Sequence, residues 1–256
     1  MIGKFYDSGG QRAARVNDLF ATIARHYDLL NDAQSLGLHR RWKRRLVRLA
    51  NVRPGDRALD LCCGTGDIAF ALAGGGAAAA GLDFSEPMLA VARARQTADG
   101  KRSRTGVGNA LNPQFFRGDA LQIPFRDNSF EIVTVGYGLR NLASWEAGLR
   151  EMWRVAKPGG RLLVLDFGKP DNALWRAGYY GYLGWVVPAL GRIFCGNAPA
   201  YAYILESLKH YPAQRGVADQ MRALGLKEVR IINLLGGMMS IHYGEKPGSN
   251  FAPAGV

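Results

Sequence analysis

"DLCCGTGDIAF", residues 60–70, sets two adjacent cysteines beside a glycine-rich turn, with one aspartate before the turn and another after it. Ahead of the turn, "RALDLCC" is a short apolar run of the kind that forms a buried strand. Behind it, "GDIAFALA" continues as a helix. Strand, glycine turn and helix together suit an anion or a nucleotide. Glycines let the backbone approach a ligand closely, and a helix N-terminus favours negative charge. Gly64-Thr65-Gly66-Asp67-Ile68-Ala69 also fits G-x-G-x-x-A, a dinucleotide fingerprint of low specificity when it stands alone. Cysteine packs as a small hydrophobe, so Cys62 and Cys63 read as the small residues of a cofactor loop rather than as a metal or redox site.

Working outward, the same alternation recurs. "AAAAGLDF" reads as a second strand, followed by the helix "SEPMLAVARARQ", with Ser85 as N-cap and Pro87 in the first turn. Residues 98–113 read as a basic loop. "QFFRGDA", "FEIVTVGYG" and "RLLVLDF" read as strands three to five, with a helix at "ASWEAGLREMWRVA" stopped by "KPGG". "VADQMRALG" is a helix, and "EVRIINLLGGMMSIHYGEK" a hairpin turning at Gly236–Gly237. The pattern predicts an α/β fold: a doubly wound, Rossmann-like, mostly parallel sheet of seven strands, one of them antiparallel. Residues 1–50 are predicted to form a helical arm. Val16, Leu19, Phe20, Ile23, Tyr27 and Leu30 share one apolar face, and Leu38, Trp42, Leu46 and Leu49 share another. Residues 51–246 form the main domain, an aromatic insertion spans about 168–211, and residues 247–256 read as a disordered tail.

Composition bounds the classes. In 256 residues, 48% are hydrophobic and 21% charged, as in a chain with a real core. Three cysteines without C-x-x-C spacing point to a reducing compartment, and four histidines never spaced i, i+4 give no zinc signature, so no metal is expected. No signal peptide is apparent, and the most apolar stretch, Tyr179–Phe194, is too short to span a bilayer. The expected location is cytoplasmic, with access to the inner face of the membrane. A net charge of +12 suits nucleic acid, an anionic membrane, an acidic protein, or plain solubility.

Three acids move the reading from a dinucleotide to S-adenosylmethionine. Asp60 ends strand one, where a carboxylate can engage a cationic amino group. Asp83, followed by Phe84, ends strand two, where it can bind ribose hydroxyls. Asp119-Ala120 ends strand three, in place for the adenine amino group. Each acid alone is better read as a turn or cap residue. Together they mark the carboxyl ends of one sheet, where ligands bind.

"HYDLLNDAQSLGLHRRWKR" (26–44), "LDLCCGTGD" (59–67), "GDALQIPFRDNSFEIVTVGYGLRNL" (118–142), "EMWRVAKPGGRLLVLDFGKP" (151–170) and "GGMMSIHYGEK" (236–246) resemble the ubiquinone/menaquinone biosynthesis C-methyltransferases of the UbiE/MenG type, over about residues 14–246. The resemblance implies a class I methyltransferase fold and methyl transfer from S-adenosylmethionine to a ring carbon of a polyprenylated quinol, such as demethylmenaquinol. Carried over by position, Thr65, Asp83, Asp119 and Ala120 contact the cofactor, beside Gly64 and Gly66 of the loop. Gly136 stands at a position that can carry a serine touching the cofactor, and glycine has no hydroxyl to offer. Cys62 and Cys63 replace a more frequent Ala/Gly pair.

The chemistry then needs an activated ring carbon. Loss of a proton from the neighbouring hydroxyl pushes charge onto that carbon. Arg140 is the candidate to stabilise the phenolate, with a water taking the proton, because arginine itself stays charged. The alternative for Arg140 is an ion pair that fixes its loop. Asn141 is the candidate to orient the ring oxygen. Tyr27 and His39, from the arm, either close the site or serve packing and capping. The insertion could accept a prenyl tail, and the basic run Arg40–Arg48 could face anionic lipid; a homodimer is a further expectation. Rival readings are an RNA methyltransferase, a nicotinamide oxidoreductase and a binding module without turnover. No N/D-P-P-Y/F motif follows strand four and no Pro-Cys pair exists, so no nucleic-acid target is expected.

Overall fold

A computed structural model describes residues 18, 22, 24, 27–103, 112–189, 192 and 199–248. The arm positions 16, 19, 20 and 23, most of the basic loop, residues 193–198 of the insertion and the end of the tail lie outside them.

Seven strands form one sheet in the order β3-β2-β1-β4-β5-β7-β6. They are β1 Arg57–Leu61, β2 Ala78–Asp83, β3 Gln114–Arg117, β4 Phe130–Gly136, β5 Ala156–Phe167, β6 Lys227–Leu234 and β7 Met239–Glu245. β1 to β5 pair in parallel, and β7 runs antiparallel to both β5 and β6. The expected sheet, with its single antiparallel strand, is the observed one.

Its centre is apolar on both faces, as a parallel sheet covered by helices on two sides must be. Leu162 and Val164 of β5 join Leu59, Leu61, Val133 and Val135 in one buried cluster. Leu163 and Leu165 join Ala58, Ile132 and Ile241 in the other. The arm contributes α1 (Tyr27–Ser35) and α2 (Leu38–Ala50). α2 lays Leu46 into the second cluster, with Trp42 and Leu49 packed against it, while Arg40, Arg41, Arg44, Arg45 and Arg48 stay exposed. α3 (Asp67–Gly74) follows β1, α4 (Glu86–Ser103) follows β2, and α5 (Trp145–Val155) precedes β5. In the insertion, α6 (Ala173–Gly181) runs into a π-helical turn (Tyr182–Val186), and α7 (Pro199–His210) leads to α8 (Ala213–Ala223). Tyr179 and Leu183 from this region complete the first cluster, so part of the aromatic stretch is core. Among the described residues, no helix is long and apolar enough to cross a membrane.

Several local expectations change. Residues 98–103 continue α4 rather than opening a loop. "KPGG" ends α5 but belongs to an irregular start of β5: Gly159 N–H bonds Lys246 O, and Lys246 N–H bonds Gly160 O. β3 stops at Arg117, so Asp119 and Ala120 lie just beyond it. Ser85 does not cap α4 with its side chain. Its hydroxyl is buried without a hydrogen-bond partner among the described residues, and the Asp83 carboxylate holds its backbone N–H at 2.8 Å.

Candidate functional site

The carboxyl ends of β1, β2 and β4 open onto a cleft lined on one side by Gly64, Asp83, Phe84, Ser85 and Asp119 and on the other by Gly136, Tyr137, Gly138 and Asn141. Tyr27 of the arm and Cys62 also border it. This is the crevice where an open α/β sheet takes its ligand.

The glycine loop is set by its neighbours. Asp83, at the end of β2, accepts the Gly64 N–H at 2.8 Å with one carboxylate oxygen and the Ser85 N–H with the other. Gly66 adopts φ 88°, and a Cβ there would come within 2.7 Å of the Phe115 ring, so glycine is required twice over. Cys62 takes a left-handed φ of 49° without being glycine. Burial pushes both thiols, Cys62 and Cys63, well above their ordinary range, so they stay protonated and unreactive.

Asp60 lies beneath this loop, 1% exposed. Thr134, paired with it across β1 and β4, donates its hydroxyl at 2.7 Å. Burial pushes the Asp60 carboxyl up to about 7, against the pull of Thr134 and Lys43. This buried acid has a neutral hydroxyl as its donor, so a cation arriving nearby would favour its charged form.

The arm is tied to the loop by charge. Asp28 of α1 accepts the Thr65 hydroxyl at 2.9 Å. Asp67, first residue of α3, pairs with Lys43 of α2 at 2.8 Å and with Arg95 of α4 at 2.8 Å. Burial pushes the Asp67 carboxyl up, but Lys43 and Arg95 outweigh it and hold it at about 2. Thr65 therefore turns toward the arm rather than lining the cleft.

On the far side, Arg140 sits in a 3-10 turn after β4, 6% exposed. Its guanidinium pairs with Asp166, fully buried at the end of β5, at 2.7 Å and also donates to Tyr137 O. The second Asp166 oxygen accepts the Arg140 backbone N–H at 3.1 Å. Asn141 donates to Tyr137 O at 3.2 Å. Tyr137 is held by these bonds at a left-handed φ of 62°, and its buried hydroxyl has no hydrogen-bond partner among the described residues. Gly136 leaves room for Ile68, whose Cδ1 would lie 2.5 Å from a Cβ at that position.

The sequence-selected residues thus divide. Tyr27, Gly64, Asp83, Phe84, Asp119, Gly136 and Asn141 meet at the cleft. Asp60, Thr65, Gly66, Ala120 and Arg140 surround it without lining it. His39 is buried on α2, 3.4 Å from Asp32, with its imidazole pushed down to about 4 by burial and Lys43. It is neutral and does not line the cleft. Sequence reading passed over Tyr137, Lys43, Thr134 and Asp166. Asp166 carried a usable signal, because "LLVLDF" repeats the strand-end aspartate of β1 and β2.

Comparison with known proteins agrees with this geometry. The chain shares 40% identity over 243 residues with a demethylmenaquinone methyltransferase of Desulfitobacterium hafniense, covering 94% of this chain and 93% of that one. It shares 40% over 240 residues with a ubiquinone/menaquinone biosynthesis C-methyltransferase UbiE of Azotobacter vinelandii, covering 93% and 92%. Among solved structures, a SAM-dependent methyltransferase of Thermotoga maritima has the same fold, with a TM-score of 0.63 at 17% identity over 90% of this chain and 99% of that one. Residues 8–246 match the ubiE/COQ5 methyltransferase family, and the chain belongs to it.

Proposed function

We propose that this protein methylates a ring carbon of a polyprenylated quinol, such as demethylmenaquinol, with S-adenosylmethionine as methyl donor. The observation that carries the reading is the set of acids at neighbouring strand ends around one cleft: Asp60 beneath it, Asp83 and Asp119 on its wall. The family membership and the names of the relatives support the substrate class.

The residues fit the cofactor. Asp83 keeps lone pairs for two ribose hydroxyls after accepting its two backbone N–H groups. Ser85, whose buried hydroxyl has no hydrogen-bond partner among the described residues, lines the same cleft. Asp60 suits an ammonium group. Asp119 and Ala120 suit the adenine edge, with Phe84 on the lip. Gly64 and Gly66 keep the loop low enough for close approach, and Thr65 fixes that loop to the arm. Gly136, having no side chain, contributes backbone only. Bound there, the cofactor supplies an electrophilic methyl group on sulfonium.

The quinol supplies the nucleophile. Its hydroxyl has a pKa near 10, by analogy with tyrosine, so proton loss needs help. Once the proton leaves to water, charge moves onto the ortho carbon. That carbon forms the new bond to the methyl group as the sulfur–methyl bond breaks, and loss of the ring proton restores aromaticity. Alignment of these atoms contributes much of the rate. Asn141 and Tyr27 border the cleft and are assigned to orient the ring and its oxygen. Arg140, engaged with Asp166, is assigned a positioning role: it fixes the turn that presents Asn141. His39 is assigned to packing of the arm.

The proposal extends to peripheral contact with an anionic membrane through the exposed arginines of α2, and to a homodimer; vesicle sedimentation at two salt concentrations and light scattering test these. The central test is transfer of a labelled methyl group from S-adenosylmethionine to demethylmenaquinone, with and without a chemical reductant. Label in the quinone only under reduction is expected. No transfer in either condition would sink the demethylmenaquinol reading and turn the assay to benzoquinols, then to RNA.

A further inference from the structure

We infer that Tyr137 and Lys43 form a subsite for the carboxylate at the methionine end of the cofactor, a role that rests on reading the cleft as an S-adenosylmethionine site. Three observations converge on these two side chains.

The first is the Tyr137 hydroxyl. It is buried, and among the described residues it has no hydrogen-bond partner. A buried polar group without a partner is rare and costly, and a ligand is one of the few things that accounts for it. The residue borders the cleft next to Tyr27 and Gly136. Its backbone is held in the left-handed region by the Tyr137 N–H to Leu165 O bond at 2.7 Å and by Arg140 and Asn141 on its carbonyl. A bulky residue is strained there, and strain that the surroundings over-determine clusters at functional sites.

The second is the charge on Lys43. The ammonium lies 5.8 Å from the Tyr137 ring centre, and its side chain is 11% exposed. Asp67 is its ion-pair partner, but that carboxylate is shared with Arg95 at the same 2.8 Å distance. Arg95 is also faced by Asp28 at 3.5 Å, and the Lys43 ammonium has three N–H donors, of which Asp67 takes one, so donors remain for another anion. Tyr137 stays protonated because burial raises its pKa well above the ordinary value, so toward that anion it acts as a donor.

The third is complementarity. The amino-acid end of the cofactor is a zwitterion and needs both signs within one loop's reach. Asp60 offers the negative group, and the Lys43 charge is felt at Asp60. Lys43 and Tyr137 offer the positive group and the neutral donor. Because Lys43 belongs to the arm and Tyr137 to the loop after β4, a carboxylate between them would join two elements that the sequence holds far apart.

Titration calorimetry with S-adenosylhomocysteine and its decarboxylated counterpart tests this without turnover. The counterpart keeps the amino group and lacks only the carboxylate. Wild-type protein is expected to prefer the carboxylated ligand. Tyr137→Phe is expected to weaken that ligand about tenfold, as loss of a hydrogen bond to a charged group does, and to leave the decarboxylated one unchanged. The ligand-free Tyr137→Phe protein should unfold at the same temperature or higher, because the change removes a hydroxyl without a partner. Lys43→Gln should lose the preference too. Equal affinity of wild type and Tyr137→Phe for the carboxylated ligand overturns the subsite, as does equal weakening of both ligands. Wild-type protein that binds neither ligand overturns the cofactor reading itself, and the subsite with it.

Discussion

The loop that leaves β1 and the loop that leaves β4 each carry a non-glycine residue in the left-handed region: Cys62 at φ 49° and Tyr137 at φ 62°. Each loop leans on a carboxylate at the end of the next strand, Asp83 on β2 for the first and Asp166 on β5 for the second. The partners differ. Asp83 is held by backbone N–H groups and Asp60 by a threonine hydroxyl, and burial raises both. Asp166 takes a guanidinium. The first loop's acids therefore remain suited to a ligand, while the second loop's acid is committed to the protein's own cation. The same design yields a binding cradle on one side and a rigid pin on the other.

Removing the pin should have the largest effect. Asp166→Asn leaves the Arg140 charge buried without its counter-charge, and breaking such a pair costs about 3–5 kcal/mol. Denaturant unfolding should register that loss, and turnover should fall with it because Tyr137 and Asn141 lose their support. Asp83→Asn, which keeps one acceptor oxygen in the cradle, should cost far less stability and chiefly weaken cofactor binding. Equal stability losses for the two variants would break the contrast.

The two loops also touch. A Cβ on Gly138 would lie 2.3 Å from the Cys62 Cβ, a distance that packing cannot absorb without movement. Gly138→Ala should destabilise by about 1–3 kcal/mol, the usual range for overpacking. Cys62→Gly removes that Cβ and relieves the left-handed strain, so the double variant should recover most of the loss. A double-mutant cycle without coupling would show that the loops are independent.

How much of this was legible in the sequence follows the range of each interaction. The alternation of strands and helices is local, so it gave the seven-stranded sheet and its antiparallel member. The strand-end acids could be found one strand at a time. Pairings across the sheet could not. The Lys43–Asp67 contact spans 24 positions and the Arg140–Asp166 pair 26, and neither spacing has a local period. Arg140 therefore read as a candidate to stabilise the phenolate from its motif, with the ion pair as its alternative, and only the fold supplied Asp166 as its partner. Ser85 is a different case, because its contact is local: Asp83, two positions away, holds its backbone N–H, while the hydroxyl expected to cap the helix has no hydrogen-bond partner among the described residues.

A smaller effect separates the two loops by pH. Asp60 is raised to about 7 from 3.8, so the folded protein holds this proton more tightly than the unfolded chain. Its contribution to stability is greatest below the unfolded value and declines as pH rises from about 4 to 7. Asp60→Asn, which keeps an oxygen for Thr134, should therefore stabilise the ligand-free protein at pH 8 by about 1 kcal/mol or more. Binding of S-adenosylhomocysteine, whose ammonium needs the ionised acid, should strengthen up to tenfold per unit below pH 7 and level off above it. The variant should bind weakly with no such slope. A slope that persists in Asp60→Asn would move the titration to another group.

The smallest effect concerns what the arm adds to the first loop. Asp28→Asn retains an acceptor for the Thr65 hydroxyl but gives up the charge that faces Arg95 at 3.5 Å. Both members of that pair are more than a third exposed, and exposed pairs are worth about 0.2–1 kcal/mol. Asp28→Asn should therefore change stability by no more than that. Thr65→Val removes the hydrogen bond itself, in a residue that is 2% exposed, and leaves the Asp28 oxygen short of a donor. It should cost about 1–2 kcal/mol and loosen the arm from the cradle, read as faster hydrogen exchange across residues 27–35. If Asp28→Asn proves the worse of the two, the arm is held to the loop by charge rather than by the threonine. The cradle would then join the pin as an electrostatic device, and the contrast between the loops would narrow to their partners alone.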